Sequence, residues 1–158
     1  MGKIFAAVLL AAVVVASAAA QDLIGARGFV AGLYVRKTHD NHFSYASPRI
    51  LSADLYALVQ GGPALDHDPL CQCKSNDGLS AQILSVSGTD KQAIARVLLR
   101  FDADKIAPPK QVTLVLTRVA LAGWKVTDIQ SARLPSLKAW LAGRQRDVGR
   151  GPGIARAR

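Results

Sequence analysis

Cys71 and Cys73 are the only cysteines of a 158-residue chain, and they lie in its most chemically loaded stretch. That stretch reads Asp66-His67-Asp68-Pro69-Leu70-Cys71-Gln72-Cys73. Three chemistries fit it. A Cys-x-Cys disulfide closes a very small ring, with Cα atoms near the upper end of the span a disulfide allows, and it is more easily reduced than a structural one. Metal ligation is the second: Asp66, His67, Asp68, Cys71 and Cys73 are all potential ligands, and thiolate with imidazole suits zinc or copper(I). The second cysteine pair of a typical structural zinc site is missing. The third is two unpaired thiols or an intermolecular bridge. Catalysed thiol exchange needs a low-pKa thiol beside a cation or a helix N-terminus, and Lys74 is the only adjacent cation. His39 and His42 form an H-x-x-H, but Thr38, Asp40 and Asn41 mark a solvated turn around them. The chain has no nucleophile elbow, phosphate loop, zinc-protease helix or Rossmann glycine pattern.

The elements around this loop follow from periodicity. Leu23, Ala26, Val30, Leu33 and Tyr34 recur at helical spacing, which predicts a helix from Leu23 to Lys37 with Asp22 as its N-cap. Ser47-Pro48 predicts a second start, with Ile50, Leu51, Leu55 and Leu58 as the apolar face and Gly61-Gly62-Pro63 as the stop. Beyond the cysteine loop the period changes to two. Strands are predicted over Ala81–Val86, Ala93–Asp102, Gln111–Leu121 and Trp124–Ile129. Pro108-Pro109 separates the middle pair and Ala122-Gly123 turns the last hairpin. Pro135-Ser136 opens a short helix from Leu137 to Leu141. Helices first and strands after argue an α+β fold of about four antiparallel strands. Packing the sheet on the first helix would bury Phe29, Leu33, Val97, Leu99, Leu114, Leu116, Trp124 and Val126.

The ends differ from this middle. Lys3 followed by the uncharged run Ile4–Ala20 and the small residues before Gln21 has the pattern of a cleavable export signal, with Ala18-x-Ala20 at the cut. The apolar stretch, about 17 residues, is at the short limit of a membrane span, and no basic stop-transfer cluster follows it. The expectation is an exported, periplasmic or secreted chain starting at Gln21, with no membrane span in the mature chain. Residues 21–142 form one domain. Residues 143–158 carry five Arg and one Asp with no apolar periodicity, and read as a disordered basic tail.

Three stretches resemble a known family. Phe29-Val30-Ala31-Gly32-Leu33-Tyr34 with Ser47-Pro48-Arg49-Ile50-Leu51 is similar to its opening helices. Asp66 to Cys73 is similar to a central loop with an Asp-Pro and often a cysteine pair. Val112-Thr113-Leu114-Val115-Leu116 with Gly123-Trp124-Lys125-Val126-Thr127-Asp128-Ile129 resembles its final hairpin. The family is the domain of unknown function 3828 family, exported bacterial proteins with a nuclear-transport-factor-2-like (cystatin-like) cone fold. The resemblance implies N-terminal helices packed on a curved antiparallel sheet. Cone folds commonly hold a pocket between the helices and the concave sheet face, where some relatives place a carboxylate and a tyrosine for proton transfer. Tyr34, Tyr56 and Asp128 are the candidates for such a pocket here. The family carries no activity over to this chain.

The formal charge is +9, and all eleven acids are Asp. A basic pI invites nucleic acid as a partner. Half of the mature excess lies in the tail, the chain is expected outside the cytoplasm, and no aromatic–basic stripe occurs, so nucleic acid is not the expected partner. An anionic surface met weakly by the Arg-rich tail is the nearer one. The expected function is a small exported binding or interaction module for an unknown protein or small ligand, with no implied cofactor. Behind it stand a metal-binding exported protein using the Asp66–Cys73 loop, and then a small pocket enzyme of isomerase-like type.

Overall fold

A computed structural model of the chain describes residues 23–40, 43–102 and 107–149. The expected export signal, the expected N-cap Asp22, His42 and residues 150–158 of the expected tail lie outside the described residues. Helix α1 spans 23–39 and helix α2 spans Ala53–Gly61. Strands β1 (Leu79–Gly88), β2 (Gln92–Phe101), β3 (Lys110–Val119) and β4 (Gly123–Ser131) follow, and helix α3 (Leu137–Gly149) ends the order. The strands form one antiparallel sheet in the order β1-β2-β3-β4. The expected α+β class and four-stranded antiparallel sheet are therefore present. No described helix is long and apolar enough to cross a membrane.

One face of the sheet carries the core. Ala93, Ala95, Val97 and Leu99 of β2 alternate inward with Val112, Leu114 and Leu116 of β3 and with Trp124, Val126 and Ile129 of β4. Helix α1 lays Ala26, Val30 and Leu33 into the same cluster, so the period-3.6 stripe meets the period-2 face. Phe29 is only half-buried, at the flank of that stripe. The register slips between Ile83 and Ser85 in β1 and between Val126 and Asp128 in β4, leaving Leu84 and Thr127 as bulges. Each bulge bends its strand and raises the local twist. The opposite face holds Ile94, Arg96, Leu98, Arg100, Gln111, Thr113 and Gln130, all exposed or half-exposed.

Two elements differ from expectation. The second helix starts at Ala53, not at Ser47. The Ser47 carbonyl accepts the Ile50 and Leu51 amides at 2.9 Å, one turn only. The chain then pairs with β4: Ser52 N donates to Val126 O at 2.9 Å and Val126 N donates to Ile50 O at 2.8 Å. Lys125 Nζ fastens this segment by donating to the Pro48 and Arg49 carbonyls at 2.9 and 2.8 Å. The pairing covers part of the free edge of β4, where an unpaired row of backbone groups would otherwise invite other chains.

The last helix continues past Leu141 to Gly149, so residues 143–149 are helical rather than the start of a tail. Good helix formers carry it on, and it has something to lean on. Leu137 and Leu141 are fully buried, and Gln145 Nε2 donates to Leu58 O of α2 at 3.5 Å. Asp54 of α2 pairs with Lys138 of α3, and that ammonium, with the Ser52 hydroxyl, holds the Asp54 carboxyl down at about 2. A Cβ at Gly62 would meet Leu58 O at 2.6 Å and the Leu141 side chain at 2.8 Å, so only glycine lets the chain leave α2 this close to α3.

Candidate functional site

The loop between α2 and β1 is held from both sides. On one side stands α1. Lys37 Nζ pairs with Asp68 Oδ2 at 2.8 Å, with the two side chains 8% and 16% exposed. Asp68 Oδ1 accepts the Leu70 amide at 2.8 Å, and the Asp68 amide donates to Cys73 O at 2.8 Å. Tyr34 Oη donates to Leu70 O at 2.8 Å, and Asn76 Nδ2 donates to Lys37 O at 2.6 Å. Leu70 and Cys71 are fully buried in the core. Among the described residues no buried side-chain nitrogen or oxygen lacks a partner.

On the other side stands β3. Cys71 and Cys73 are joined as a disulfide with Cα atoms 5.1 Å apart. Gln72, between them, has φ 52°, a left-handed conformation that costs a non-glycine residue about 1–2 kcal/mol. Two contacts offset that cost. Gln72 Nε2 donates to Gln111 O at 3.1 Å, and Lys110 Nζ donates to Gln72 O at 3.0 Å. The Lys110 ammonium also lies 5.2 Å from the centre of the Phe101 ring.

Three cavities of about 980, 440 and 400 Å³ surround this loop, and Cys73 and Lys74 line all of them. The largest is a groove between the cystine loop, the chain entering β3 and the chain leaving β4. Its floor includes Gln111, Thr113 and Gln130, which belong to the sheet face away from the core. The sheet face toward α1 is filled instead by Leu33, Leu99, Leu114 and Leu116.

The sequence-predicted site residues divide accordingly. Tyr34, Tyr56 and Asp128 line none of these three cavities. Asp128 serves α3: its carboxylate accepts the Lys138 amide at 3.0 Å, its neighbour Ile129's amide at 2.9 Å and Gln130 Nε2 at 3.2 Å. Tyr56 is half-buried against the core. The five expected metal donors are shared out among other partners. Asp68 holds Lys37, Asp66 accepts from or pairs with His67, and the two sulfurs hold each other. His67 draws the Asp66 carboxyl below its ordinary range. Among the described residues no three His, Cys, Asp or Glu side chains gather as a metal-binding group. His39 ends α1, with Nδ1 2.8 Å from Val35 O.

Sequence reasoning missed Lys37, Gln72, Asn76, Lys110 and Arg133. Lys37 had a signal: it continues the stripe Ala26-Val30-Leu33-Tyr34 by one more helical step. A lysine on a buried stripe must find a carboxylate. No family model matches the chain, and no curated protein or solved structure does either.

Two outcomes follow from this geometry. Lys37→Met strands the Asp68 carboxylate in a largely buried place and lowers stability by about 3 kcal/mol in urea unfolding, and Asp68→Asn in that background recovers part of the loss. The second concerns alkaline pH. Burial, and then the Asp68 charge, raise Tyr34 well above the ordinary tyrosine value of 10.0 and push Tyr45 up to about 12. Both groups keep their protons longer folded than unfolded. Their contribution is complete below pH 10 and is lost as pH rises toward 12 and beyond. The urea midpoint falls over that range, and Tyr34→Phe flattens the fall. At neutral pH the same change costs about 1–3 kcal/mol, because the buried Leu70 carbonyl loses its donor.

Proposed function

We propose that this chain is an exported binding module of cone-like α+β fold, and that its ligand enters the groove beside the cystine loop. The resemblance to the domain of unknown function 3828 family supports the cone, as does the order of helices, loop and antiparallel strands. The signal-like start from Lys3 to Ala20 supports export, and a disulfide suits an oxidising compartment. One observation carries the reading: the loop's buried ion pair and backbone hydrogen bonds hold one wall of an open groove in place. A binding wall gains affinity when it is already ordered before the ligand arrives. The strongest proton-transfer candidates have other work. The Tyr34 hydroxyl is bonded to Leu70 O, and the Asp128 carboxylate holds the first turn of α3.

Native mass spectrometry of the protein recovered from the exporting cell tests this. The expected chain starts at Gln21, is two hydrogens lighter than its reduced form and carries a non-covalent adduct. Thr113→Trp, which fills the groove floor, should leave the same chain without the adduct. Recovery of the full chain from Met1 in the cytosol contradicts the export reading. An adduct indifferent to Thr113→Trp contradicts the groove.

A further inference from the structure

The groove has a chemistry of its own. Among the described residues its lining includes the cations Lys74, Lys110 and Arg133 and one acid, Asp66, whose Oδ1 is already engaged by His67. Arg133 is exposed and has no ion pair or hydrogen bond among the described residues. The Lys110 ammonium uses one of its three donors on Gln72 O, which leaves others for a ligand. The sheet register extends the same field outward: Arg96 of β2 stands opposite Thr113, and Thr113 stands opposite Gln130. The described lining therefore carries three cations against one acid, with amides and hydroxyls on its floor.

We infer that the groove binds an acidic saccharide, a chain of sugar units bearing carboxylates. This rests on the binding-module reading and names its ligand class. Arg133 presents a planar fork that matches a carboxylate, and Lys74 and Lys110 supply point charges beside it. The Gln111 carboxamide and the Thr113 hydroxyl, both without a partner among the described residues, suit sugar hydroxyls. Pro108, Pro109 and Pro135 give flat apolar surface for the carbon face of a ring. A volume of about 980 Å³ is at the upper end for small-ligand sites and leaves room for two or three sugar units. Among the described residues the lining has no aromatic ring on which a nucleobase could stack.

The test uses ¹⁵N-labelled exported protein, oxidised, titrated with tri-galacturonate, with a neutral trisaccharide of the same length and with inorganic phosphate. Tri-galacturonate should shift the amides of Gln72, Gln111, Thr113 and Arg133 together. The neutral sugar should bind at least about tenfold more weakly, and so should tri-galacturonate on Arg133→Gln. Binding should also weaken as salt rises. Arg133 is exposed and has no ion pair or hydrogen bond among the described residues, so Arg133→Gln should unfold at the wild-type midpoint. Equal binding of the neutral sugar overturns the charge assignment and leaves the binding groove standing. Phosphate that shifts the groove as strongly as the sugar overturns the saccharide. No groove shift with any of the probes overturns the ligand class, while the adduct measurement judges the binding module separately.

Discussion

The structure around the groove depends on one buried ion pair. Lys37 leaves the last turn of α1 and Asp68 leaves the cysteine loop, and they meet at 2.8 Å with little solvent around them. Replacing such a pair with two apolar side chains often costs nothing, so its net worth to stability is small. Its value lies in position. Removing one partner leaves a largely buried charge without its counter-ion, at a cost of about 3–5 kcal/mol. The loop therefore has one low-energy seat, with Asp68 under Lys37. The Asp68 charge is felt further: it helps to raise both Tyr34 and Tyr45.

From that seat the rest of the loop follows in short steps. Asp68 accepts the Leu70 amide and donates to Cys73 O, which closes a small backbone ring. The disulfide closes the same ring covalently, with Gln72 at its tip. Gln72 then reaches β3 through Gln111 O and Lys110. A helix, a loop and a strand far apart in the chain are thus joined, and the space left beside them is the groove. On this account the cysteines are a clasp at the rim of the groove.

Much of this was legible from residue patterns. Alternation in β2 and β3 placed their inward faces, because a strand with one buried face leaves little choice of register. The stripe on α1 placed Ala26, Val30, Leu33 and Tyr34 in the core for the same reason. What periodicity cannot see is pairing between distant elements. The bridge from Leu51 to Val126 turned the expected start of the second helix into an edge segment. By strict alternation Asp128 is in phase with Trp124 and Val126, which makes it a candidate pocket acid. The bulge at Thr127 breaks that alternation: Ile129 turns into the core instead, and the Asp128 carboxylate accepts the Lys138 amide of α3. The groove residues Gln111, Lys110 and Arg133 come from ordinary polar positions, and only the fold assembles them.

Hydrogen exchange at single amides tests the seat of the loop most directly. The amides of Asp68 and Leu70 are bonded to Cys73 O and Asp68 Oδ1. In the oxidised protein they should exchange as slowly as core amides of β3 such as Leu114. In Lys37→Met they should exchange fast, while Leu114 stays slow. Fast exchange of Asp68 and Leu70 in the wild-type protein would contradict the account, because the loop would then have no fixed seat and the groove no standing wall.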